Sequence, residues 1–187
     1  MKRILILLAV LALGLSAALA ETVPVVTATP ASATLAPTPS PSPTPEPFGT
    51  QYALDEFTVR LSDELLPLDA EALAGYEAAA ESDFPDSGEM RLVAANADFS
   101  AAISFALAPS EQSAAEAARE AALTILGSDA GVVETRFGEN DCACFACAIG
   151  EMTFHIYYFA LDGQLLTVTA SGLVDADLAA ILESLTF

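Results

Sequence analysis

Thirty residues near the start of the chain, 21–50, cannot build a hydrophobic core, and this limits what the chain can fold into. They hold eight of the 11 prolines, including an alternating run over residues 37–45, and almost no large apolar side chains. Proline fixes φ and removes a backbone donor, so such a run favours polyproline II structure. At about 3.1 Å per residue, we expect a disordered Pro/Thr/Ser-rich linker of up to roughly 90 Å. Residues 51–187 remain as one folded domain, long enough for a sizeable core.

The residues before the linker have the pattern of a signal peptide. Lys2 and Arg3 precede an apolar run over residues 4–15, and small residues stand at Ala18 and Ala20. This pattern predicts a signal peptide over 1–20, cleaved after Ala20, with an uncleaved N-terminal anchor as the alternative. The apolar run is shorter than the roughly 20 residues of a membrane-spanning helix, and no later segment approaches that length. We therefore expect a secreted or cell-envelope-associated protein with no integral membrane segment after cleavage.

The charge of the chain excludes some classes of partner. After removal of residues 1–20 the chain has four arginines and no lysine against 26 acidic residues, a formal charge of −22. Nucleic acids and anionic membrane surfaces are bound through clustered cations, so neither is an expected partner. A large net charge of one sign also keeps a protein soluble, and we expect a monomer.

Hydrophobic periodicity divides residues 51–187 into strands and helices. A capping box at Ser113–Glu116 opens a predicted helix over 113–126, which Gly127 ends. Two more helices are predicted, one capped by Asp69 and running to about residue 82, and one beginning at Asp175. Strands are predicted over 57–61, 90–95, 101–107, 132–137, 142–149, 152–160 and 165–171. Asp162-Gly163 is a strong hairpin turn. The predicted class is α+β, an antiparallel sheet flanked by helices.

This order of elements carries a resemblance to a known family. A hairpin, an alanine-rich helix, a second hairpin and a last helix that ends in Leu-Glu-Ser-Leu-Thr-Phe over residues 182–187 resemble the PsbP-like α/β/α sandwich. The resemblance concerns the fold over residues 53–187, and it implies a binding or assembly role with no catalytic residues to transfer. The signal-plus-stalk layout is similar to that of small exported proteins of uncharacterised function from Gram-positive bacteria.

One cluster of residues could carry chemistry, three cysteines and the only histidine. If Gly150-Glu151 is a two-residue hairpin turn, Cys142, Cys144 and His155 share one sheet face, and Cys147 points to the other. Cysteines two apart in a strand have Cβ atoms about 6.6 Å apart, too far for a disulfide. We therefore expect the three cysteines to act as small buried hydrophobic side chains. Zinc held by Cys142, Cys144 and His155 is the weaker alternative, because no fourth ligand is evident.

These observations lead to an expected function without a catalytic site, cofactor or metal. No Gly-x-Ser-x-Gly motif is present, and the four arginines fall on separate elements, where pairing with surface acids is the expected arrangement. We expect an exported binding or envelope-associated module on a Pro-rich stalk, whose partner is an unknown protein, glycan or envelope component. The alternative is a thiol- or metal-dependent enzyme centred on the cysteine strand.

Overall fold

The computed structural model describes residues 48–75 and 88–187. The predicted signal peptide, most of the predicted linker and the second half of the helix predicted over 69–82 lie outside the described residues.

The described residues form an antiparallel sheet with a few helices. The strands are β1 (Thr50–Ala53), β2 (Thr58–Leu61), β3 (Leu66–Pro67), β4 (Glu89–Ala95), β5 (Ala102–Pro109), β6 (Val133–Phe137), β7 (Asn140–Ile149), β8 (Met152–Leu161) and β9 (Gln164–Ser171). The helices are α1 (Ala114–Leu126) and α2 (Asp175–Glu183), and residues 70–75 are also helical. The predicted α+β class is confirmed.

Seven strands form the main sheet, in the order β3-β4-β5-β9-β8-β7-β6, and every neighbouring pair is antiparallel. β9 is the middle strand, so the penultimate element of the chain joins the β4–β5 hairpin to the β6–β7–β8 meander. β1 and β2 form a separate two-stranded sheet. β1 begins at Thr50, one residue before the predicted start of the domain.

The ends of α1 are determined by the capping box and the glycine that the sequence predicts. The side chain of Ser113 accepts a hydrogen bond from the Glu116 amide, and the Glu116 carboxylate accepts one from the Ser113 amide. Gly127 then adopts the left-handed conformation, with φ of 73°. Both ends of the helix are therefore fixed by its own residues. The Asp69 carboxylate likewise accepts a hydrogen bond from the Ala72 amide, at 2.8 Å, and caps the helical residues 70–75.

Elements pack on both faces of the main sheet. On one face, α2 and the β1–β2 sheet bury a cluster that includes Val59, Phe105, Val168 and Ile181. On the other, the alanines of α1 pack against β7 and β8, because small side chains allow the helix to approach the sheet closely. Leu73, from the helical residues 70–75, packs against a third cluster on that same face. The described residues thus form three layers, with the main sheet in the middle.

Candidate functional site

The β7–β8 hairpin places the three cysteines. Cα partners across the hairpin run from Ala143 and Tyr158 to Ile149 and Met152, so Gly150-Glu151 is the two-residue turn that the sequence predicts. Gly150 has a φ of 63°, which such a turn requires. The predicted register is therefore confirmed.

Burial differs between the three thiols, and their faces are those predicted. Cys142 is 4 % exposed and belongs to the cluster under α2, whereas Cys147 is 4 % exposed and belongs to the cluster under α1. Cys144 is half-buried on the same face as Cys142. None of the three forms a disulfide. The Cys144–Cys147 pair lies within β7 with its thiols on opposite faces, whereas redox motifs place their reactive cysteine in the first turn of a helix, which lowers the thiol pKa.

Burial also sets the protonation of these groups. Desolvation raises the pKa of Cys142 to about 12, with smaller contributions from the neighbouring Cys144 and Asp141. The pKa values of Cys144 and Cys147 are raised by the same burial. Because the thiolate is the reactive form of cysteine, these raised pKa values favour the protonated, less reactive form of all three thiols near neutral pH.

Tyr157 extends the cluster around Cys142 and Cys144. It is opposite Cys144 in the register and 8 % exposed, and burial raises its pKa to about 12, with further contributions from Cys144, Cys142 and Asp175. Asp175 comes from the first turn of α2. Tyr157 lies on the cysteine face because it is two residues from His155 in the same strand, whereas only the packing of α2 on the sheet brings Asp175 near it.

His155 lies on the cysteine face without completing a metal site. It is half-buried, between Ala146 on β7 and Ala170 on β9. Cys144 is its diagonal neighbour, and such neighbours are typically about 7–8 Å apart. Within residues 48–75 and 88–187, no three Cys, His, Asp or Glu side chains are grouped closely enough to hold a metal ion. Residues Cys142, Cys144 and His155 therefore share a face but do not converge.

Three of the four arginines pair with acidic side chains, as the sequence predicts. Arg91 contacts Glu56 at 2.5 Å and Glu89 at 2.7 Å, while Arg136 contacts Asp141 at 2.9 Å. Arg60 is the exception, because its guanidinium donates to the Gln51 side chain and the Gly49 carbonyl. The four arginines do not converge on one anion site.

A groove that the sequence did not reveal runs along the outward side of α1. It has a volume of about 790 Å³ and opens to solvent. We name it the α1 groove, and its lining includes Glu111, Glu116, Arg119, Glu120, Leu123 and Asp129. Glu116, Glu120 and Leu123 follow the i, i+4, i+7 spacing of one helix face. That spacing, together with Glu111 and Asp129 a few residues beyond the two ends of the helix, was the signal available in the sequence.

Comparison with known proteins adds information about the fold. No family model matches the chain, and no curated protein matches it. A crystal structure from Bacteroides thetaiotaomicron VPI-5482 aligns with a TM-score of 0.50 and 11% identity, covering 74% of this chain. The alignment covers 48% of that chain, so this chain spans about half the length of that neighbour.

A second match is the solution structure of cyanobacterial PsbP (CyanoP) from Synechocystis sp. PCC 6803. It aligns with a TM-score of 0.49 and 11% identity, over 79% of this chain and 96% of that chain. A PsbP structure thus stands among the neighbours. The described residues themselves form an α+β structure, an antiparallel sheet with helices. Across the described part of the chain, no helix is long and apolar enough to cross a membrane.

Proposed function

We propose that the chain is an exported, non-catalytic binding or envelope-associated module. The signal-peptide pattern over residues 1–20 supports export, and the Pro-rich linker over 21–50 supports presentation of the domain away from a surface. The partner is a protein, a glycan or another component of the cell envelope. The acidic composition makes nucleic acid an unsuitable partner.

One observation carries the non-catalytic part of the proposal. The best candidate nucleophiles of the chain, Cys142, Cys144 and Cys147, have raised pKa values because they are buried among packed side chains. A cysteine enzyme needs the reverse, a lowered thiol pKa and access for the substrate. A packing role explains these thiols better than catalysis does.

The first experiment examines the protein recovered from the producing cell. Native mass spectrometry is combined with iodoacetamide labelling of the folded and the denatured protein. We expect a monomer that starts at Glu21, carries no metal, and labels at Cys142 and Cys147 only after denaturation. Half-buried Cys144 is expected to label more slowly than a free peptide thiol. A retained zinc ion, or a thiol that labels faster than a free one, would overturn the non-catalytic proposal in favour of the thiol- or metal-dependent enzyme.

A second experiment addresses binding itself. Isolated envelopes and culture medium from the producing cell are separated, and each is treated with an amine-to-carboxyl crosslinker, which suits the many acidic side chains. We expect a discrete crosslinked species that contains this protein and one envelope component. Recovery of uncrosslinked protein from both fractions would contradict the binding role.

A further inference from the structure

The α1 groove is a built surface feature. Glu111 precedes α1, Asp129 follows it, and the outward face of the helix forms the floor between them. A helix of 13 residues is about 20 Å long at 1.5 Å per residue. The groove is therefore long enough for a peptide segment and too open to enclose a small molecule.

The electrostatics of the groove favour a cation. Four carboxylates, Glu111, Glu116, Glu120 and Asp129, line it, whereas its one cationic side chain, Arg119, contacts Glu134 at 2.6 Å. The C-terminal end of α1 adds to this potential, because the helix dipole is negative there and the last turn holds no basic residue. Acidic side chains and helix dipole thus act in the same direction at the Asp129 end of the groove, whereas at the Glu116 end the carboxylates face the positive end of the dipole.

Leucines inside and beside the groove favour an apolar contact as well. Leu123 lines the groove and is 52% exposed, and Leu126, in the same last turn of α1, is 44% exposed. The opposite face of the helix is buried through alanines, so neither leucine is needed to hold α1 on the sheet. Covering the two leucines would remove apolar surface from water and stabilise a complex.

We infer that the α1 groove binds a basic amphipathic peptide segment of a partner protein, with lysine or arginine side chains against the carboxylates and an apolar side chain on Leu123. This inference rests on the proposed binding function and names the chemistry of its partner. Charge complementarity requires the segment to be positively charged. The exposed leucines favour a segment that also carries apolar side chains over a purely polar polycation.

The test uses the secreted protein and a fluorescein-labelled peptide of alternating Lys and Leu residues, followed by fluorescence anisotropy at low salt and at about 0.15 M salt. We compare the wild type with Leu123→Asn and with the double variant Glu111→Gln/Glu120→Gln. Both groove variants are expected to weaken binding by about three- to tenfold. A Glu/Leu peptide and a Lys/Ser peptide are expected to bind at least about tenfold more weakly than the Lys/Leu peptide.

Matched variants outside the groove separate a specific site from the general acidity of the chain. Leu66→Asn changes a 61% exposed leucine at the opposite edge of the sheet. The double variant Glu139→Gln/Glu151→Gln removes the same number of negative charges, two, from exposed turns outside the groove. Both controls are expected to bind the Lys/Leu peptide as the wild type does.

Each contrary result has a distinct meaning. Equal weakening by groove and control variants, equal binding of the Glu/Leu peptide, or no binding of the Lys/Leu peptide would overturn the inference. A dimer in native mass spectra that Leu123→Asn dissolves would overturn it in favour of a second copy of this chain. If wild-type protein still crosslinks to one envelope component, the proposed function survives the loss of this inference. If that crosslink is also absent, both fail.

Discussion

Cys142 and Tyr157 show how the core treats ionisable residues. Each is almost fully buried, and each has a pKa of about 12, against ordinary values of 9.0 for cysteine and 10.0 for tyrosine. Removal from water penalises the charged form, so both groups stay neutral in the folded protein at a pH where they would ionise in the unfolded chain. The two residues therefore make the free energy of unfolding depend on pH in the alkaline range.

The sign of this link gives a prediction. Between about pH 9 and 12 the unfolded chain loses protons that the folded protein retains, so stability is complete below pH 9 and falls as the pH rises towards 12. Urea unfolding midpoints at pH 7, 9, 10 and 11 should decline over the last three points. Variants Cys142→Ala and Tyr157→Phe should each show a shallower decline. A parallel decline in wild type and both variants would assign the effect to other groups.

At the scale of elements, α1 is the part of the fold that the sequence predicts best. Its start, its end and its buried face all depend on residues close together in the chain: the Ser113–Glu116 capping box, Gly127, and alanines at helical spacing. The hydrogen bonds from Ser113 also lower the pKa of Glu116, so their contribution is present above the ordinary carboxyl pKa and declines as the pH falls.

Ser113→Ala removes the capping side chain and is expected to cost about 1 kcal/mol of unfolding free energy. Chemical denaturation at pH 7 measures this loss. Ser128→Ala is the control, because its hydroxyl accepts a hydrogen bond from the Ala130 amide in a loop outside any helix. Similar losses in the two variants would show that capping does not control the stability of α1.

Other elements could not be predicted because their signals are distant in the sequence. β1 reads Thr-Gln-Tyr-Ala, with no residue fully buried and no apolar alternation, and it exists because it pairs with β2. Gly49 beside it has a φ of 53°, and a Cβ there would lie 1.8 Å from the Leu61 carbonyl oxygen. That close approach is invisible until both segments are in place. The candidate site divides in the same way: strand alternation placed the cysteines and His155, whereas the approach of Asp175 to Tyr157 depends on tertiary packing.

At the scale of the whole molecule, residues 184–186 join the elements that cover one face of the main sheet. Thr186 exchanges two backbone hydrogen bonds with Thr58 on β2, and the Ser184 hydroxyl accepts one from the Arg60 amide. Leu185, between these contacts, is 2% exposed in the cluster under α2. The last residues therefore join the β1–β2 sheet to the rest of that layer.

Leu185→Ala is accordingly expected to cost about 2–5 kcal/mol, the usual range for truncating a fully buried leucine. Phe187→Ala is the matched control, since Phe187 is 50% exposed and makes one aromatic contact, with Phe159. We expect this control to lose less than about 1.5 kcal/mol. The free energies come from urea unfolding of the two variants. A loss at residue 185 no larger than that at 187 would contradict the joining role of residues 184–186.

The central place of β9 determines when this protein can acquire its structure. Ala102 on β5 pairs with Ser171, which lies about 70 residues further along the chain, and β8 pairs with the same strand, β9. Contacts so distant in the chain form slowly, and the two halves of the sheet cannot merge before β9 has been synthesised. Until β9 is in place, β5 and β8 each lack a neighbour on one side, and such open strand edges are where a partly folded chain aggregates.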